Sequence, residues 1–177
     1  MTTAEYLQTP ETVQPRELAF GTLRVAESPS ASHQRVVREI AFALTAHVRQ
    51  HGLGEVLFAP MDVVLDYDAD LVVQPDVLFI SSTRGYLVAD RIYGAPDLVI
   101  EVLSPHPRIG QLNERIGWFA RYGVRECWLA SLPDRQIAVL TLGEGGVVKR
   151  TLHSDADPIS SDILGRVNLT PLDVFGY

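Results

Sequence analysis

The chain is short of several things at once. Of its 177 residues, one is cysteine (Cys127) and one is lysine (Lys149). A single cysteine excludes an intrachain disulfide and any multi-cysteine zinc centre, and makes a reducing, cytoplasmic setting the expectation. Basic residues number 15 against 22 acidic, a net charge of −7. That balance argues against a broad, non-specific nucleic-acid surface, while leaving room for a local basic groove. With one lysine among the 15 basic residues, the other fourteen are arginines. No segment approaches the ~18 apolar residues of a membrane span, and the opening Met1-Thr2-Thr3-Ala4-Glu5 has neither the basic nor the apolar region of a signal peptide. Gly-x-Gly-x-x-Gly, Walker lysine and Gly-x-Ser-x-Gly motifs are all missing, which excludes the common nucleotide-binding loops and the nucleophile elbow.

What is there reads as one soluble domain over residues 1–177, with residues 1–16 as a polar extended arm containing Pro10 and Pro15. Apolar runs on either side of Gly21 predict an N-terminal hairpin. Ser28-Pro29-Ser30-Ala31-Ser32 breaks the chain and offers helix caps. Over residues 33–51, Val36, Val37, Ile40, Ala41, Leu44 and Val48 recur at helical spacing, and Gly52 closes the run. Strand-like runs follow at 56–59, 63–65, 71–80 and 97–103, then a second helix at 109–122, then strands at 126–130, 137–142 and 147–152, with a packed but irregular tail. Strict βα alternation is absent, so a mixed sheet with helices on both sides is expected rather than a doubly wound one.

The chemistry centres on two carboxylates inside apolar runs, Asp76 in Val72-Val73-Gln74-Pro75-Asp76-Val77-Leu78 and Glu101 in Leu98-Val99-Ile100-Glu101-Val102-Leu103. An ionised carboxylate among branched apolar residues is costly unless it is paired or binds a metal. Two of them on successive strands can converge on one hard cation such as Mg²⁺, which takes one or two protein carboxylates and leaves positions for water and phosphate oxygens. The alternative is that each is paired with an arginine, and the composition supplies many. Arg108, Gln111 and Arg115 form a polar row on the second helix that can face the strand of Glu101. Asp97, four residues before Glu101, reads as structural. Glu39, on the side of the first helix away from its apolar stripe, is a weak accessory candidate, with Arg35 in reach. His47 and His51 stand at i, i+4 without a metalloprotease glutamate and read as a solvated pair. Asp66-Tyr67-Asp68-Ala69-Asp70 imitates the start of a calcium loop but lacks its glycine and terminal glutamate. Trp118, Phe119 and Tyr122 are core or dimer contacts sooner than a base-stacking cluster.

Taken together, His33 opening the first long helix, Val73-Gln74-Pro75-Asp76-Val77, Gly94-Ala95-Pro96-Asp97-Leu98-Val99-Ile100-Glu101-Val102-Leu103-Ser104-Pro105 and Tyr122-Gly123-Val124-Arg125-Glu126-Cys127-Trp128 resemble the Uma-two family of the PD-(D/E)xK nuclease superfamily. The resemblance spans well over half the chain. It implies a restriction-endonuclease-like fold, a mixed α/β architecture with a central mixed sheet flanked by helices. It further implies a metal-dependent nuclease acting on phosphodiester bonds, DNA as the expected substrate, with Mg²⁺ (Mn²⁺ as substitute) held by Asp76, Glu101 and the carbonyl of Val102. A homodimer would serve double-strand cutting. The family's lysine and aspartate on the second helix correspond here to Arg115 and Gln111, and the other lysine position, two residues after the glutamate, is Leu103. An arginine retains charge but does not release a proton at working pH. Arg115 is therefore expected to act electrostatically, with Arg108, Gln111 and Glu39 as accessories. A catalytically degenerate member that binds nucleic acid or protein without cutting is the second expectation.

Overall fold

The computed structural model describes residues 1–10, 14–103 and 112–176. Among the described residues eleven strands form two main sheets, and two further two-residue strands, Ser160–Ser161 and Gly165–Arg166, pair with each other. β1 (Arg16–Ala19) and β2 (Thr22–Val25) make the expected hairpin, and with β4 (Val63–Asp66), β5 (Leu71–Val73) and β7 (Ile92–Tyr93) they build a five-stranded sheet in the order β2-β1-β5-β4-β7. The larger sheet contains β3 (Gly54–Phe58), β6 (Val77–Ser81), β8 (Leu98–Leu103), β9 (Glu126–Ser131), β10 (Gln136–Gly143) and β11 (Gly146–Ser154), in the order β11-β10-β9-β8-β6-β3. β8 and β9 run parallel, while its other pairings are antiparallel, so the sheet is mixed.

Each face of the large sheet is covered differently. Helix α2 (Ala31–His51) lays Val36, Val37, Ile40, Ala41, Leu44 and Val48 against Val77, Phe79, Leu98, Ile100, Val102 and Trp128. Its N-cap is Ser30, whose hydroxyl accepts from the amide of His33, and Gly52 closes it in the left-handed conformation at φ 62°. The opposite face packs on helix α3 (Leu112–Tyr122), through Ile116, Trp118, Phe119 and Ala120, and on the small sheet. Because side chains alternate along β8, Leu98, Ile100 and Val102 point to α2, while Glu101 points with Val99 and Leu103 towards α3 and the small sheet.

Three expectations are corrected. The described part of residues 1–16 is not an extended arm. Thr3–Leu7 forms helix α1, started by a capping box in which Thr2 and Glu5 satisfy each other's amides, and Tyr6 is buried beneath it. The apolar run at 71–80 is two strands in two sheets, broken at Gln74-Pro75-Asp76, because each half is buried on both faces and so reads as continuous. The tail is regular in part, ending in helix α4 (Pro171–Phe175), which a Thr170–Asp173 capping box starts. The acidic turn is tied into the fold, since Asp66 Oδ1 accepts from the amides of Asp68 and Ala69 and Asp70 Oδ1 holds the amide of Thr3. The start of the second helix, with Arg108 and Gln111, lies outside the described residues.

Candidate active site

Asp76 sits in the β5–β6 break, one residue before β6, rather than inside a strand. β6 pairs β8 with Val77 opposite Ile100 and Leu78 opposite Val99, and the same register carried one step further sets Asp76 opposite Glu101. Directly opposed residues project to the same face of a sheet, which is why two acids 25 positions apart in sequence meet. Asp76 is held on three sides. Its Oδ2 accepts from the amide of Val102 at 2.8 Å, its carbonyl accepts from the amide of Ala59 at 3.0 Å, and its Oδ1 lies 3.3 Å from His33 Nε2. The imidazole is buried, and its Nδ1 has no partner among the described residues.

Glu101 meets Arg115, as the helical row predicts. Arg115 Nε donates to Glu101 Oε1 at 2.8 Å, and the Arg115 guanidinium reaches on with Nη1 to Glu17 Oε2 at 2.5 Å. Arg115 is only 6% exposed, so it is a buried ion-pair residue and not a solvated helix flank. Glu17, on β1, is 1% exposed, and its second oxygen, Oε1, accepts from the amide of Gln74 at 2.6 Å. Gln74 in turn donates from Nε2 to Asp62 at 2.8 Å, in a cleft of about 270 Å³ whose Arg16, Arg91, Asp62 and Asp90 balance in charge.

Two carboxylates, Glu17 and Glu101, thus share one guanidinium, and Asp76 adds its charge beside Glu101. Burial is the main force against ionising Glu101, the charges of Asp76 and Glu17 add to it, and Arg115 opposes them; the result is a carboxyl pushed up to about 8. Burial also works against the charge of Arg115, but Glu101 and Glu17 outweigh it and hold the guanidinium proton more tightly than usual. Among the described residues no group of three or more His, Cys, Asp or Glu side chains is arranged to hold a metal. The donor set at this place is two carboxylates, Asp76 and Glu101, both partly solvent-accessible at 16% and 13%. That set suits a hard cation that keeps most of its water, and the unbalanced negative charge fits a dication.

The remaining candidates fall elsewhere. Glu39 pairs with Arg38 at 2.5 Å on the outer side of α2 and joins none of the carboxylates above. Asp97 is fully buried under Arg84, Arg125 and the amide of Ser81, a structural anchor as expected. His47 is not free in solvent, since its Nε2 lies 2.9 Å from the carbonyl of Leu164. Lys149, on β11, pairs with Asp162. Phe119 is core, and Trp118 packs edge-on against Phe20 with Arg24 over its ring. Sequence reading missed Glu17 as a site residue, because Arg16-Glu17 in a four-residue hairpin strand looks like an exposed ion pair. It used His33 only as a family marker.

The sequence profile of Uma2, described as "Putative restriction endonuclease", matches residues 3–172. The chain belongs to the Uma2 family. Its fold agrees with a solved relative in shape: the crystal structure, at 1.96 Å, of "a putative nuclease belonging to DUF820" from Anabaena variabilis ATCC 29413 superposes with a TM-score of 0.82. The two share 19% sequence identity over 99% of this chain and 98% of that one, so the likeness is one of fold. No curated protein matches the chain. Residues 3–172 take in strands of both sheets together with Asp76 and Glu101.

Proposed function

We propose that this Uma2 protein is a divalent-metal-dependent endonuclease that hydrolyses phosphodiester bonds, with DNA as substrate and Mg²⁺ or Mn²⁺ as the ion. The observation that carries the reading is the register-opposed pair Asp76 and Glu101, with three carboxyl groups, theirs and that of Glu17, against the one guanidinium of Arg115. Asp76 and Glu101 would hold the ion, with the main-chain carbonyl of Val102 as a further donor. Bound there, a divalent cation supplies Lewis-acid stabilisation of the phosphoryl oxygens and acidifies a water. The chain's own residues orient. Val102 N–H fixes Asp76 Oδ2, His33 stands behind Oδ1, and Arg115 Nε fixes Glu101 Oε1. Arg115 stays protonated and cannot act as a general base, and its positive charge is spent on two carboxylates before any phosphate arrives. We take the protein to work as a homodimer, which cutting both strands of a duplex calls for. A reducing, cytoplasmic compartment suits the buried free thiol of Cys127. No helix among the described residues is long and apolar enough to cross a membrane.

The burial of Arg115 between two acids favours one second reading, a member that binds nucleic acid without cutting it. Purified protein on supercoiled plasmid with Mg²⁺ or Mn²⁺, beside Asp76→Ala prepared identically, separates the two. Nicking or linearisation by the wild type alone supports the nuclease. Equal cleavage by both proteins, or none by either, supports the second reading.

A further inference from the structure

We propose that Glu17 is a positioning residue that keeps Glu101 open to a divalent cation by drawing the Arg115 guanidinium away from it; the inference rests on the metal-site reading above. Arginine and a carboxylate commonly pair as fork on fork, two parallel N–H···O bonds that occupy both oxygens. Here the pairing is single. Arg115 gives Nε to Glu101 Oε1 at 2.8 Å and sends Nη1 across to Glu17 Oε2 at 2.5 Å, and no hydrogen bond between described residues reaches Glu101 Oε2. Glu17 does not swing, because its Oε1 is fixed by the amide of Gln74 at 2.6 Å and the side chain is 1% exposed. Through those two oxygens Glu17 ties together both halves of the site. One bond steadies the break that carries Asp76, two residues past Gln74, and the other restrains the arginine that would otherwise close on Glu101.

Neutralising Glu17 removes the counter-pull. The guanidinium is then free to settle on Glu101 with two bonds, and a cation must displace one of them. Glutamine at position 17 keeps an oxygen for the Gln74 amide, so Glu17→Gln tests the charge and leaves the Asp76 segment anchored.

The experiment is a double-mutant cycle read by Mn²⁺ binding, using the loss of the free-ion electron paramagnetic resonance signal, on wild type, Glu17→Gln, Arg115→Met and the double variant. A residue acting through another has an effect only while the other is present. Glu17→Gln should raise the Mn²⁺ dissociation constant about tenfold or more when Arg115 is in place, the scale of losing a supporting residue around a metal. It should change it less than about twofold in the Arg115→Met background. Equal weakening in both backgrounds, or none in either, overturns the role of Glu17. No Mn²⁺ binding by the wild type overturns the metal-site reading and the inference with it. If Glu17→Gln does not fold, Glu17→Asp takes its place in the cycle. Its shortened carboxylate should weaken binding only in the presence of Arg115, and equal weakening with and without Arg115 overturns the proposal.

Discussion

Strand β8 has a carboxylate at each end, and their surroundings differ in charge count. Asp97, just before the strand, is fully buried with two guanidinium groups, Arg84 and Arg125, and the Ser81 amide on it. Glu101, near the other end, is 13% exposed and shares a single guanidinium with Glu17, next to Asp76. Burial opposes the charge of both. At Asp97 the amide and the two arginines prevail and hold the carboxyl below its usual range, whereas at Glu101 burial and the neighbouring acids prevail and lift it to about 8. A buried acid with surplus cations is a structural anchor; a buried acid with surplus anions is a place where a cation is wanted. Glu126 follows the first pattern by another route, fully buried with Trp128, Ser161 and the Asp162 amide on its two oxygens.

The contrast can be broken by substitution. Asp97→Ala leaves two arginines around an emptied site and should cost about 3–5 kcal/mol of unfolding free energy, read by urea melts, with Mn²⁺ affinity of the folded protein unchanged. A metal-binding loss without a stability loss would reverse the assignment of the two ends. Glu101→Gln should do the opposite in the ion-free protein. A carboxyl raised in the folded state contributes stability that is complete below its unfolded value near 4.5 and is lost as pH rises through about 8. At pH 8.5 the variant should therefore be more stable than wild type, by the order of 1–3 kcal/mol, and the gain should vanish by pH 4. Asp97, held low, gives the mirror image, with stability present above its unfolded value and lost as the pH falls through the depressed one. Arg115→Lys has the smallest expected effect. A lysine keeps the charge as a compact ammonium that cannot fork between Glu101 and Glu17 as the guanidinium does, so plasmid cleavage should rise about tenfold or more, and no gain would tell for the binding-only reading.

Much of this was legible in the sequence where one physical signal dominated. The α2 stripe and its Gly52 stop, the hairpin about Gly21 and the Asp97–Leu103 strand run all stand close to where periodicity and turn residues put them. Helical spacing put Arg115 in a row able to face the strand of Glu101, and the two side chains pair. The misses have physical causes. Helix α1 is five residues long, too short for periodicity, and only its Thr2-x-x-Glu5 capping box announces it. The break at Gln74-Pro75-Asp76 is hidden between two strands that are each buried on both faces, with Pro75 as its single mark. Glu17 was invisible because its value comes from long-range partners, Gln74 and Arg115, that lie 57 and 98 residues away.

We propose that the Glu101 end of β8 binds a dication. Isothermal titration of Mn²⁺ into the wild type and Asp76→Ala at pH 7, in buffers of differing ionisation enthalpy, tests it directly. With Glu101 raised to about 8, binding should saturate one site, release protons, and be lost in the variant. No binding heat in the wild type, or the same heat from both proteins, would contradict it.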